Sequence, residues 1–91
     1  MSDQAIVSPQ ELRQFSQNLK QFNSQLQNMT STLNGQFSRL SETWRDREHA
    51  HFAQEYQQTM QVIQRFIQVS EAHIPFLLKK ADLAEEYLRY R

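Results

Sequence analysis

The chain has no cysteine, one glycine and two prolines among its 91 residues, and no net charge. Without cysteine, neither a disulfide framework nor a thiolate metal site can form. Ten Lys and Arg balance ten Asp and Glu, so no whole-chain field steers the protein toward nucleic acid or an anionic membrane. Folds built from strands and turns need more glycine and proline than this chain has. We therefore expect an all-α protein, because the abundant Gln, Glu, Leu and Arg favour helices.

Long apolar segments are also missing. No stretch approaches the roughly 20 apolar residues of a membrane span, and the first residues lack the basic start and apolar run of a Sec signal peptide. We expect no membrane insertion, and a protein that is cytoplasmic or is secreted without a Sec signal peptide. A chain of 91 residues is one domain at most, and its monomer should be only marginally stable.

The first predicted helix covers about residues 9–42 and starts at a capping box. Ser8 can accept a hydrogen bond from the amide of Glu11, and Pro9 suits the first turn. Apolar residues then follow in steps of three and four, with one stutter after Leu33, which predicts a coiled-coil-like seam. These residues are Leu12, Phe15, Leu19, Phe22, Leu26, Met29, Leu33, Phe37, Leu40 and Trp44.

The sequence does not decide where the first helix ends or which residue caps the second. Gly35 is either an interior residue of the first helix or a C-cap that ends it early; we expect an interior residue, because the apolar pattern continues beyond it. The bend falls at about residues 41–47, and either Thr43 or Asp46 can cap the second helix.

The second predicted helix covers about residues 46–89. Pro75 lies inside it, so we expect a kink or short break near His73. Its expected inward positions are Phe52, Tyr56, Thr59, Ile63, Phe66, Ser70, Ile74, Leu77, Ala81, Ala84 and Leu88. Two such helices joined by a short turn predict an antiparallel two-helix hairpin.

The second helix carries more apolar residues than one neighbouring helix can cover. Met60, Ile67 and Leu78 lie on one flank, and the other flank carries Val62, Val69 and Phe76. Burying such side chains is worth roughly 1.5–3 kcal/mol each. We expect these six residues to form a dimer interface, so that two hairpins build a four-helix bundle as a homodimer or with a related hairpin protein.

The bend carries a short motif. Trp44 is followed two residues later by Asp46 and eight residues later by the aromatic Phe52. This arrangement resembles the small Trp-x-Gly (WXG) proteins of type VII, or Esx-type, secretion. The resemblance implies a dimeric helical hairpin that is exported without a Sec signal and acts as a secreted factor or as an adaptor for larger substrates. Asp46 replaces the glycine of the motif, and the Tyr-x-x-x-Asp/Glu export signal has no match after Tyr87.

No arrangement of residues indicates catalysis or a cofactor. His49 and His51 lie about 200° apart around a helix, so they cannot grip one metal ion together, and solvated or bend-packing histidines are the better interpretation. Arg45 and Arg47 alternate with acidic residues, which favours a solvated face over an RNA-binding knob. We expect no enzyme, no cofactor, no metal site and no nucleic-acid partner.

The sequence thus favours a protein-interaction module. Its partners would be itself or a related hairpin, and a secretion ATPase or a larger substrate. Trp44 either packs the bend or forms half of a groove that such a partner reads. The alternative is an intracellular coiled-coil scaffold or regulatory subunit with no role in secretion.

Overall fold

A computed structural model describes residues 7–90, and within that range it contains helices and no strand. Helix α1 covers Pro9–Leu40 with 32 residues, and helix α2 covers Arg47–Arg89 with 43 residues. The turn between them occupies residues 41–46. The predicted all-α hairpin fold is confirmed.

Both helix starts depend on capping side chains. The Glu11 amide donates to Ser8 Oγ at 3.2 Å, and α1 begins at Pro9 as the capping box predicts. At the second start, the His49 amide donates to Asp46 Oδ1 at 3.0 Å, so Asp46 is the N-cap of α2. Thr43 instead turns its hydroxyl back to the Leu40 carbonyl, at 3.4 Å. The choice between Thr43 and Asp46 is thereby settled.

Gly35 and Pro75, the two candidate helix breakers, both lie inside continuous helix. Gly35 is an interior residue of α1, with a negative φ and open space around its Cα. Pro75 lies within α2, which runs without interruption past His73. The sequence predicted a kink or a short break there; the short break is absent, and the kink stays a prediction. One proline removes a single backbone hydrogen bond, and the residues on both sides of it keep the helix.

The chain divides into two compact units, each made of two helix segments. The first unit contains the described parts of Met1–Phe22 and Val69–Arg91. Its buried residues are Pro9, Ser16, Ser70, Ile74 and Ala81. Arg13 Nη2 donates to Asp82 Oδ1 at 2.7 Å and to Glu85 Oε1 at 2.8 Å, which pairs the start of α1 with the end of α2. These two hydrogen bonds raise the pKa of the Arg13 guanidinium.

The second unit is Asn23–Gln68 and contains the bend. Its buried side chains are Asn23, Thr30 and Ile67. The Tyr56 hydroxyl donates to Asn34 Oδ1 at 2.6 Å, and closer to the turn Phe37 stacks on His49. Later residues of α1 thus meet earlier residues of α2, so the two segments run antiparallel.

The phase of the α1 seam differs from the predicted one. Buried positions recur every seven residues at Ser16, Asn23 and Thr30, which we call the inner row. The large residues just before them, Phe15, Phe22 and Met29, are exposed, and we call them the outer row. The predicted stutter after Leu33 is absent, because Phe37 continues the seven-residue spacing of the inner row.

Helix α2 turns one regular stripe inward. Its buried and half-buried positions alternate in steps of four and three: His49, Ala53, Tyr56, Met60, Ile63, Ile67, Ser70, Ile74, Leu77, Ala81 and Ala84. Phe52 and Phe66, expected to point inward, are exposed instead. The step pattern is that of a strict heptad repeat.

Candidate protein-interaction surface

An aromatic cluster closes the bend of the second unit. Phe37 stacks on Tyr56 with ring centroids 4.5 Å apart and on His49 at 5.4 Å. Trp44 meets His49 edge-on at 5.0 Å and lies 6.3 Å from Phe52. Such distances lie within the favourable range for aromatic pairs. Trp44 therefore packs the turn against the start of α2, and it remains half-buried.

A hydrogen bond ties the same cluster together. Ser41 Oγ lies 2.7 Å from His49 Nε2 and 2.9 Å from the Phe37 carbonyl oxygen. Because a hydroxyl has one proton and the carbonyl can only accept, Ser41 donates to Phe37 and accepts from His49. His49 thus packs the bend, whereas His51 is exposed. This outcome is one of the two readings that the sequence left for His49.

An apolar groove lies between the helices of the second unit, next to the cluster. One cavity of about 480 Å³ extends from Leu33 to Phe52 and includes Leu40 and Met60. A neighbouring cavity of about 460 Å³ extends from Leu26 and Met29 to the same Leu33 and Met60. The two cavities share these residues and so form one groove, with Gln36 on its border.

Exposed apolar residues also recur along α2. They are spaced by seven residues, and we call them the α2 outer row: Val62, Val69, Phe76, Leu83 and Tyr90. Three of the six residues predicted for a dimer interface belong to this row, namely Val62, Val69 and Phe76. All of its residues are exposed in the described single chain.

The other three predicted interface residues lie elsewhere. Ile67 is only 6% exposed and belongs to the buried side of the second unit, so its assignment to an outer flank is wrong. Met60 is half-buried and lines the groove. Leu78 is exposed but lies two positions after Phe76, about 200° away around the helix. The dimer interface itself stays a prediction.

Charged and metal-binding groups offer no competing site in residues 7–90. Arg45 uses its Nε to donate to the Ser41 carbonyl at 3.3 Å, which stabilises the turn. In that range no three His, Asp or Glu side chains lie close enough to hold a metal ion. Neither described helix has an apolar stretch that could cross a membrane.

Residues 4–83 match the family model of WXG100, described as proteins of 100 residues with WXG. The chain belongs to the WXG100 family. The match includes the bend motif and most of both helices. No curated protein and no solved structure matches the chain. The resemblance seen at Trp44 is therefore confirmed at the level of the WXG100 family.

In this WXG100 protein the glycine of the motif is replaced by Asp46. The backbone of residues 7–90 has no positive φ, so the turn does not require glycine there. The Asp46 carboxylate caps α2 instead. Trp44 and Phe52, the other two predicted bend residues, meet in the aromatic cluster.

Sequence reasoning missed Phe37 as a member of the aromatic cluster and His49 as the partner of Trp44. It also missed the inner row entirely. A signal for the inner row was present, since Ser, Asn and Thr recur at a strict seven-residue spacing immediately after Phe, Phe and Met. A seam that is assigned from hydrophobicity alone omits small polar residues.

Proposed function

We propose that this WXG100 protein is a non-enzymatic interaction module whose hairpin binds a second copy of itself, forming a four-helix bundle. The observation that carries the proposal is the seven-residue spacing of exposed apolar side chains on both helices. Single exposed apolar residues are normal on protein surfaces, whereas contiguous rows mark interaction sites.

The spacing favours a helix as the occupant of these rows. An ideal α-helix drifts by about 20° per heptad, so a seven-residue row stays in contact with a partner only when both helices supercoil. A helix with the same repeat covers such a row along its whole length. A small ligand or an extended peptide would not require the repeat.

A second copy of the chain supplies helices of that kind. Its net charge of zero adds no long-range repulsion between copies. Five outer-row side chains (Phe15, Phe22, Met29, Phe76 and Leu83) are exposed. At roughly 1.5–3 kcal/mol each, ten such side chains in a dimer would contribute about 15–30 kcal/mol gross. That exceeds the estimated 4–15 kcal/mol that association costs.

Membership of the WXG100 family supports a role in type VII-like secretion. We propose that the dimer is a secreted factor or an adaptor there, and that the aromatic bend and the adjoining cavity from Leu33 to Phe52 are offered to a secretion ATPase or a larger substrate. The groove has an apolar floor with a few polar groups at its rim, Gln36 and Glu55 among them. That composition suits the apolar face of a partner helix.

Sedimentation equilibrium at micromolar concentration tests the dimer. We expect a mass of two chains for the wild type. Phe22→Gln combined with Phe76→Gln should raise the dissociation constant at least about a hundredfold, because even two lost burials cost about 3 kcal/mol and each 1.4 kcal/mol is tenfold.

The matched control is Gln25→Ala combined with Gln64→Ala, which changes two exposed polar positions. It should leave the dissociation constant unchanged. A wild type that sediments as one chain, or a control that dissociates as readily as the outer-row variant, would refute the proposed interface.

A further inference from the structure

The second unit has two cavities near the bend that differ in polarity. The first, of about 480 Å³, is lined in part by three apolar side chains that are 46–48% exposed: Leu33, Leu40 and Phe52. The second, of about 600 Å³, is lined in part by amide and hydroxyl side chains: Asn34, Ser38, Ser41, Gln57 and Gln61. Both cavities also contact Phe37, Tyr56 and Met60, which therefore form the layer between them. We call the first side the apolar face and the second the amide face.

Both walls of the apolar face have the spacing of a helix surface. On α1 the wall consists of Leu33, then Phe37 four residues later and Leu40 seven residues later. On α2 it consists of Phe52, then Tyr56 and Met60 in steps of four. Each wall covers about two helical turns, or about 10 Å. Because ridges at this spacing pack into the grooves of another helix, the geometry favours a helix as the occupant.

The border of the apolar face is charged on one wall only. Gln36 follows Leu33 by three residues on α1, and Glu55 follows Phe52 by three residues on α2. Both are exposed, and among the described residues that line this cavity Glu55 alone carries a charge. A partner that enters the cavity thus meets apolar side chains and one carboxylate. A basic side chain on the partner would complement that carboxylate.

We propose that the apolar face binds one amphipathic helix of a partner protein, with large apolar side chains at positions i, i+4 and i+7 and a Lys or Arg beside them, opposite Glu55. The inference rests on the proposed role of the bend in binding a partner and names the chemistry of that partner. The amide face remains in water, because burying amide groups without hydrogen-bond partners is unfavourable.

Two synthetic helical peptides of about 18 residues test the proposal. Both carry Leu at i, i+4 and i+7, and they differ only in the residues that flank the leucines, which are Lys in one peptide and Glu in the other. Fluorescence anisotropy of the dye-labelled peptides measures their dissociation constants with the full chain at low salt. We expect the Lys peptide to bind at least about threefold more tightly. Because the chain has no net charge, this difference reports the charge at the site.

Substitution of the carboxylate tests whether Glu55 causes the preference. Glu55→Gln should make the dissociation constants of the two peptides equal. The matched control is Glu86→Gln, which makes the same change in charge at an exposed position of α2 in the first unit. It should leave the preference for the Lys peptide intact. A preference that survives Glu55→Gln, or equal binding of both peptides by the wild type, would overturn the inference.

A second pair of variants tests which face binds. Leu40→Gln should raise the dissociation constants of both peptides at least about tenfold, because it places an amide in the apolar cavity. Gln57→Ala, on the amide face, should leave them unchanged. Leu40 is the last residue of α1 and is exposed, so its substitution should leave the helical content measured by circular dichroism unchanged.

Sedimentation equilibrium of the same samples separates this inference from the proposed dimer. A chain that sediments as a monomer and still prefers the Lys peptide would refute the dimer and support the inference. A chain that dimerises and binds neither peptide would defeat the inference alone. Dissociation of the dimer by Leu40→Gln would mean that the second copy occupies the apolar face, which also overturns the inference.

Discussion

Asp46 shows how one side chain can replace a motif glycine. Its Oδ1 accepts the His49 amide at 3.0 Å, and its carbonyl accepts the Ala50 amide at 3.2 Å, so both groups satisfy donors of the first turn of α2. A carboxylate at this end also interacts favourably with the helix dipole. The bend therefore depends on the oxygen of a side chain rather than on the freedom of a glycine backbone.

Substitutions of Asp46 should distinguish the stability contributed by its capping oxygen from that contributed by its negative charge. We expect Asp46→Ala to lower the free energy of unfolding by about 1 kcal/mol, and Asp46→Asn or Asp46→Gly by only a few tenths, because Asn can cap and Gly is tolerated at N-caps. Urea unfolding followed by the fluorescence of Trp44 measures this. Equal losses for Asn and Ala would show that the carboxylate charge, not the capping oxygen, matters.

Single residues were predictable where a local rule applies. Ser8 was expected as a cap because Glu11 follows three positions later, and Asp46 was one of two candidates for the cap of α2; the structure has both caps. The Ser41–His49 hydrogen bond was not predictable, since it joins the end of one helix to the start of the next across the turn. Such a contact depends on how the turn is folded, which no local pattern specifies.

Helix α1 tolerates its glycine because the position faces open space. Nothing lies within 4 Å of a Cβ built on Gly35, and its φ is negative. The residue therefore contributes flexibility to the unfolded chain without relieving any crowding in the folded one.

Gly35→Ala should consequently raise the free energy of unfolding by about 1 kcal/mol, the difference between the two residues in a helix interior. Thermal and urea unfolding by circular dichroism measure the change. Ser31→Ala, at an exposed position one turn earlier on the same helix, is the control and should have a smaller effect. A destabilised Gly35→Ala protein would mean that another chain approaches this backbone closely.

The helices themselves were predictable to within a few residues, but the phase of their seam was not. Hydrophobic periodicity places α1 and α2 correctly, since the few breakers and the caps limit the ends. It selected Phe15 and Phe22 over Ser16 and Asn23 because apolar residues dominate any such pattern. Where apolar residues lie on more than one face of a helix, their spacing alone does not show which face packs against the neighbouring helix of the same chain.

At the scale of the whole molecule, a chain of this size with few buried side chains would gain stability from a partner. The described residues that are buried and hydrophobic are Ile67, Ile74 and Ala81, while fifteen large apolar residues are exposed. A partner that covers the exposed rows would bury apolar surface that the single chain leaves in contact with water.

Export is the prediction that belongs to this scale. We expect the protein in the culture supernatant when the membrane ATPase of a type VII-like system is present, and only in the lysate when that gene is deleted. A cytosolic enzyme assayed in both fractions controls for lysis. Retention in the lysate of both strains would favour the alternative, an intracellular coiled-coil scaffold or regulatory subunit.

The short turn has a consequence for the order in which the chain folds. Only six residues, 41–46, separate α1 from α2, so closing this loop loses little entropy compared with joining the distant chain ends. The rings of Phe37, Trp44 and Tyr56 come together at the same place. We therefore expect the two helices to begin pairing beside Trp44 and to continue pairing away from the turn. The hydrogen bonds of Arg13 to Asp82 and Glu85 should be among the last contacts to form.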